Sequence, residues 1–163
     1  MSVPSVLLAL LDEAFDHKAW HGTTLFGSIR GLDASAAARR PAHGRHNIWE
    51  IVVHAAYWKY AVRRRLTGEK RATFALTGSN WFVRPEPGAA SPRARDAAFK
   101  ADIRLLAVEH RALREVVAGL PPASLAVRVG QYDRTYLIRG IAAHDLYHAG
   151  QIQLLKRLRG NAR

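Results

Sequence analysis

Residues 144–151 read His-Asp-Leu-Tyr-His-Ala-Gly-Gln, and this stretch decides how the fold of the whole chain is interpreted. At about 100° per residue, His144, His148 and Gln151 fall on one face of a helix. The apolar residues on that same face are Leu137, Ile141 and Leu155. Burying an unpaired polar group costs about 1–3 kcal/mol, so a stable fold keeps three of them in an apolar stripe only where something satisfies them.

Two histidines four residues apart on a helix can aim their ring nitrogens at one metal ion, although histidines satisfied by other contacts are the alternative interpretation. The zinc-protease motif His-Glu-x-x-His has the same spacing. Here Asp145 follows His144, and we expect its side chain to be solvated or to act as a cap. A third ligand cannot be a thiolate, because the chain has no cysteine. The histidines that could supply it are His17, His21, His54 and His110. Spacing alone does not choose among these four.

Helical periodicity extends outward from this segment over most of the chain. It predicts four long helices, over about 5–29, 48–67, 92–118 and 136–158. The residues expected to cap the second, third and fourth helices at their N-termini are Asn47, Ser91 and Thr135. Four helices of this length predict an all-α fold, a four-helix bundle in a single domain spanning residues 1–163.

Two connections between these helices are long enough to carry structure of their own. Residues 68–91 contain Phe74, Trp81 and Phe82, which a purely solvated linker would not need. Long structured loops are often functional, so we expect a lid here, with Trp81 forming a wall of the pocket mouth. In the second connection, residues 120–134, apolar residues alternate from Leu125 to Val129, which predicts a short strand or an extended strap.

Composition excludes several classes of protein. The chain has 163 residues and no cysteine, which rules out a disulfide scaffold, an iron–sulfur cluster and a cysteine nucleophile. Its net charge is +12, and five basic residues lie near the end of the second helix: Arg63, Arg64, Arg65, Lys70 and Arg71. Such a run is usually a solvated face, and no nucleic-acid-binding motif accompanies it. Nucleic acid therefore stays an alternative partner that only the charge supports.

Hydropathy predicts no contact with the membrane interior. No apolar run approaches the ~18 residues needed to cross a bilayer. The apolar start, residues 1–11, has no basic region before it and is followed at once by Asp12 and Glu13. We interpret it as the beginning of a helix instead of a signal peptide, and expect a cytoplasmic location.

Two segments resemble a known family. They are GRHNIWEIVVHAAYWKYAVRRRLTG at residues 44–68 and IAAHDLYHAGQIQLLKRL at residues 141–158. In order and separation they are similar to the DinB-like superfamily of metal-binding four-helix bundles, which includes YfiT-like metal hydrolases. The resemblance implies that His54 joins His144 and His148 as metal ligands. It also implies an up-down-down-up order of helices with long crossover loops.

A site of three imidazoles leaves coordination positions for water or substrate, which is typical of a reactive centre. The first candidates for the ion are Zn and Ni, followed by Fe and Mn. Such an ion activates water or deprotonates a thiol, and a low-molecular-weight thiol from outside is a candidate cosubstrate. The residues that are candidates for contact with the ligands or the substrate are Gln151, Tyr147 and His21.

Some relatives in this superfamily are thiol-dependent S-transferases or isomerases. The resemblance therefore implies a metal-dependent enzyme acting on a small molecule, either an S-transferase or a hydrolase. The competing interpretations are a basic nucleic-acid-binding bundle and a structural metal protein without catalysis.

Family members are commonly homodimers, and the second predicted helix carries more large aromatic groups than one buried stripe needs. Trp49, Tyr57 and Tyr60 lie away from that stripe and predict a dimer interface. The alternative is that residues 68–91 fold back and cover them.

Overall fold

The computed structural model describes residues 2–86, 88 and 90–160 of the chain. Its long helices are α1 (Val3–Phe15), α4 (Ile48–Thr67), α5 (Pro92–Ala118) and α6 (Arg134–Gly160). Two short helices, α2 (Leu25–Ile29) and α3 (Ala34–Ala38), lie between α1 and α4. A 3₁₀ turn (Pro122–Ser124) and a hairpin of β1 (Arg128–Val129) and β2 (Tyr132–Asp133) connect α5 to α6. The all-α prediction is confirmed, and the alternating segment supplies one strand of the hairpin.

The first predicted helix is wrong in its length, because residues 16–24 interrupt it. α1 ends where the backbone N–H of Asp16 bonds to the carbonyl of Asp12. Gly22 then adopts a φ of +99°, a conformation open mainly to glycine. Thr24 begins a new helix, since its hydroxyl accepts a hydrogen bond from the Gly27 N–H at 3.0 Å. Apolar periodicity continued across this break and concealed it.

The capping predictions hold at two helices and fail at the third. The Asn47 side chain accepts from the Glu50 N–H at 2.8 Å in a full capping box, and Ser91 caps α5. Thr135 does not cap α6, because that helix begins one residue earlier. Asp133 accepts from the Tyr136 N–H at 2.7 Å instead.

Two clusters of buried apolar residues reveal the direction of each long helix. The lower cluster contains Leu7, Leu11, Val62, Leu66, Leu113, Val117, Leu137 and Ile141. The upper cluster contains Phe15, Ile51, Ala55, Phe99, Leu106, Ala149 and Ile152. Along the chain, α1 and α6 run from the lower cluster to the upper one, whereas α4 and α5 run the other way. The up-down-down-up order is therefore confirmed, and the connection from α4 to α5 crosses the length of the bundle.

The aromatic side chains of α4 are covered, which overturns the argument that they form an exposed interface. Trp49 is fully buried, and its indole N–H donates to the Asp102 carboxylate at 2.6 Å. Tyr60 is buried, and Tyr57 packs its ring 5.5 Å from that of Phe74. Phe74 belongs to the 68–91 connection, which folds back over α4.

Among the described residues, no helix has the length and the apolar content that crossing a bilayer requires.

Candidate metal site

Three histidines from two helices converge in the upper half of the bundle. His54 lies on α4, and His144 and His148 lie one turn apart on α6. The Nε2 atom of His144 is 3.1 Å from that of His54 and 3.1 Å from that of His148. All three ligand atoms lie within 4.8 Å of one another. The arrangement is the trio implied by the family resemblance.

Hydrogen bonds at the far side of two rings determine which nitrogen faces the centre. The Nδ1 atom of His54 lies 2.8 Å from the backbone carbonyl oxygen of Asn80, so this nitrogen carries the proton and donates it. The Nδ1 atom of His148 likewise donates to the Gln151 side-chain oxygen at 2.7 Å. In both rings the lone pair of Nε2 is therefore left to point inward, which is the arrangement that second-shell partners impose on metal-bound histidine.

Burial keeps the three imidazoles neutral. It lowers the pKa of His54, lowers that of His144 to about 3 and lowers that of His148 to about 4. For His144 and His148 the charge of a neighbouring histidine acts in the same direction. A neutral imidazole is the form that binds a metal, so no proton has to leave these rings at neutral pH.

The donor set fits a divalent ion. The Nε2 lone pairs of His54 and His148 both face the Nε2 atom of His144 at 3.1 Å, so an electrophile between the three nitrogens, either a proton on His144 or a metal ion, satisfies them. Zn–N bonds of about 2.0–2.1 Å in a tetrahedral site put neighbouring donor atoms about 3.3 Å apart, close to the observed 3.1 Å spacing. The third ring, His144, has no hydrogen-bond partner at its buried Nδ1 among the described residues, so its polar neighbours are the two imidazoles at its Nε2. These histidines could hold an ion that accepts imidazole nitrogen.

Trp81, which the sequence analysis proposed as a wall of the pocket mouth, lies against this trio. Its ring stacks on His54 with the centroids 3.8 Å apart and the planes at 10°. The opposite face of Trp81 stacks on His46 at 3.6 Å and 4°. Glu50 accepts a hydrogen bond from the His46 ring at 2.9 Å, which ties this outer histidine to α4. The 68–91 connection thus contacts the site through three stacked rings, with Trp81 between His46 and His54.

Ion pairs near the C-terminal end of the same segment hold it in place. Arg40 bridges Glu86 of the connection and Glu50 of α4, with nitrogen–oxygen distances of 2.9 and 2.5 Å. Arg84 pairs with Asp102 of α5 at 2.8 Å. The charged contacts of Arg84 and Glu86 thus tie this part of the connection to α5 directly and to α4 through Arg40.

Of the remaining candidates from the sequence, some lie beside the trio and others lie away from it. Gln151 contacts His148, and its amide N–H donates to the Tyr147 hydroxyl at 3.0 Å, so both lie beside the trio. His21 is exposed between α1 and α2 and is not among the converging residues. His17 is exposed and pairs with Asp16, and His110 is buried in a stack on Phe15 at 3.7 Å. Neither of these two joins the site.

Asp145 is neither solvated nor a cap, and that prediction is wrong. It is fully buried, and its carboxylate pairs with the equally buried ammonium of Lys59. Burial raises the pKa of Asp145 to about 6, against the opposing effect of the Lys59 charge. The pair joins α4 to α6 beside the histidines.

Sequence reasoning missed three residues that shape the site: Asn80, His46 and Lys59. Asn80 acts through its backbone carbonyl, and its side-chain oxygen accepts from the Trp58 indole N–H at 2.9 Å. It has a φ of +64°, which asparagine tolerates better than most residues. The sequence Gly-Ser-Asn at 78–80 signals a turn, but nothing in it signals contact with a histidine.

Comparison with known proteins places this geometry in a family. The profile of the DinB superfamily matches residues 17–152. Neither the curated proteins nor the solved structures include a significant match to the chain. The matched range covers most of the sequence and contains all three converging histidines. The chain therefore belongs to the DinB superfamily.

Proposed function

We propose that this protein binds one divalent metal ion through His54, His144 and His148 and uses it as a metal-dependent enzyme. The observation that carries the proposal is the convergence of three neutral Nε2 donors, two of them oriented by hydrogen bonds to Nδ1. Three protein ligands leave at least one position open, which is typical of catalytic sites and not of structural ones.

The proposed activity is thiol-dependent S-transfer, with hydrolysis as the other form of the same site. A bound divalent ion supplies Lewis-acid polarisation and lowers the pKa of a coordinated thiol or water. Gln151 and Tyr147 form a hydrogen-bonded pair next to His148, where they would orient the ligand or a substrate. Trp81 and Trp58 limit the access of water to the histidines.

Metal analysis of untagged protein tests the ligand set. We expect about one Zn or Ni per chain after dialysis of protein reconstituted with a single metal. A variant with alanine at all three histidines should retain none, whereas His21→Ala, a change at an exposed histidine, should retain full stoichiometry. An alanine triple variant with unchanged metal content would refute the site.

Cobalt substitution then separates an enzyme site from a structural one. If a coordination position is open, a small thiol such as 2-mercaptoethanol should produce a sulfur-to-cobalt charge-transfer band in the cobalt protein. A spectrum that ignores the thiol means that protein groups fill the coordination sphere. Retardation of DNA at ~0.15 M salt would instead support the nucleic-acid alternative.

We also propose that the chain forms a homodimer, through α1 and α6 and not through the covered aromatic residues of α4. Exposed apolar side chains lie on the outer faces of both helices: Val3, Val6 and Leu10 on α1, and Leu146 and Leu154 on α6. Because each copy has a net charge of +12, association requires a face that carries few charges. Light scattering should give twice the chain mass of 18.1 kDa, and Leu10→Glu should return it to that of the monomer.

A further inference from the structure

In the run of arginines at the end of α4, one side chain makes no polar contact with the described residues. Arg63 pairs with Glu109 of α5 at 3.4 Å. Arg64 donates to the backbone carbonyl of Glu69 at 3.0 Å. Arg65 makes no ion pair and no side-chain hydrogen bond with any residue that the structure describes. Its guanidinium therefore has all its donors free.

Arg65 nevertheless has a defined position, because it lies over an aromatic ring. Its guanidinium carbon is 6.0 Å from the centre of the Trp58 ring. Trp58 is fixed in turn by its hydrogen bond to Asn80. A guanidinium within cation–π range of an indole keeps its planar fork free for an anion and loses less entropy when the anion binds.

Trp58 connects Arg65 to the candidate metal site. Its ring centre is 6.2 Å from that of His144 and 6.3 Å from that of His54. The guanidinium thus lies at most about 12 Å from the His144 ring, the sum of the two spacings, which a ligand of several carbon atoms can span.

The part of α6 that precedes His144 has an open position, and the antiparallel packing of α4 and α6 brings the end of α4 alongside it. His54 faces His148 and Lys59 faces Asp145, so α4 and α6 are antiparallel, and the end of α4 runs past the residues that precede His144. One of these is Gly140, where an added Cβ would meet no atom within 4 Å.

The far side of Arg65 is also open. It lines a cavity of about 480 Å³ together with Arg64, Lys70 and a single acidic residue, Glu69. Positive charge therefore prevails around Arg65 at this end of α4.

We propose that Arg65 binds the carboxylate of a small-molecule ligand whose other end reaches the metal site. The inference rests on the proposed function and deepens it by naming the substrate class, an organic carboxylate. A single free guanidinium matches one carboxylate in charge and in its two-oxygen geometry.

Dicarboxylates of increasing length test the distance between the metal site and Arg65. Acetate, malonate, succinate and glutarate are titrated into the cobalt-loaded protein, and the change in the visible spectrum reports binding at the metal. One carboxylate can occupy the open coordination position, and only a dicarboxylate can reach Arg65 as well. We expect one dicarboxylate length to bind about tenfold more tightly than acetate, as a hydrogen-bonded charge pair allows.

Arg65→Gln should abolish this gain and leave the affinity for acetate unchanged. Arg64→Gln is the matched control, because it removes the same charge one residue away and should keep the gain. Equal affinity of wild-type protein and Arg65→Gln for the best dicarboxylate would overturn the inference and leave the metal site standing. Loss of stoichiometric cobalt binding in the wild-type protein would refute the metal site and, with it, this inference.

Discussion

Breaking the buried ion pair between Lys59 and Asp145 should destabilise the protein strongly. Both side chains have no exposed surface, and one oxygen of Asp145 has no hydrogen-bond partner among the described residues. The pair therefore depends on one charged contact and not on a network. Removing one member of such a pair costs about 3–5 kcal/mol, because the other charge is left uncompensated in the interior.

Lys59→Met is the sharpest form of the test. It leaves a carboxyl group whose pKa burial already raises to about 6 with the lysine present. Without Lys59 we expect the pKa of Asp145 to exceed 7, so that the folded protein holds the proton at pH 7. The variant then keeps a buried carboxyl group that has lost its charged partner, and the expected loss of stability is about 3–5 kcal/mol, the cost of breaking a buried pair at one member.

Urea unfolding at pH 7 measures this loss. With a slope of about 2 kcal/mol per molar urea, a loss of 4 kcal/mol lowers the midpoint by about 2 M. The double variant Lys59→Met with Asp145→Leu replaces the pair by apolar side chains and should recover most of the stability. A single variant that loses less than about 1 kcal/mol would refute this account of the buried pair.

Three further predictions concern other groups. His110→Leu should make stability less sensitive to acid: burial lowers the pKa of His110 to about 3, so below pH 6.5 the unfolded chain binds a proton that the folded chain does not. From pH 7 to pH 5, protonation of this histidine in the unfolded chain lowers the free energy of unfolding of the wild type by about 2 kcal/mol. The variant should not show this loss, and urea unfolding at both pH values measures it. Gln151→Leu removes the acceptor for His148 and should raise the dissociation constant for zinc about 10- to 100-fold in a competition titration, with Gln151→Glu as a control that retains an acceptor. Trp81→Leu removes the stacks on His54 and His46 and should make tryptic cleavage of residues 68–91 roughly tenfold faster, whereas an unchanged rate would mean that other contacts hold this connection.

Helical periodicity was sufficient to predict three of the four long helices, because each buries one continuous apolar stripe. It failed over residues 16–24, where the stripe continues although the backbone turns. The deciding signals there are local, a glycine with positive φ at Gly22 and a threonine cap at Thr24. Both are common residues whose roles depend on geometry that a periodicity count does not contain.

For the candidate site, too, the sequence predicted some residues and missed others. The i, i+4 spacing on α6 points to His144 and His148, but it does not choose the third histidine. Only the family resemblance distinguishes His54 from His110, which also lies on an inward-facing stripe. Asp145 was misjudged because its partner, Lys59, is 86 residues away, and a buried ion pair leaves no local pattern in the sequence. Asn80 was missed because its contact with the site comes from the backbone.

The buried ion pair and the histidine trio belong to the same interface between α4 and α6. Sliding α6 by one residue would rotate its side chains by about 100°, so Asp145 would leave Lys59 while His144 and His148 left His54. The strong penalty for an unpaired buried charge therefore disfavours every register except the one that brings the three Nε2 atoms together. The imidazoles contribute less to that register, because they are neutral and contact one another only through their Nε2 atoms. The contact that sets the register thus lies beside the trio, and it holds the three histidines at a spacing that would suit a bound ion.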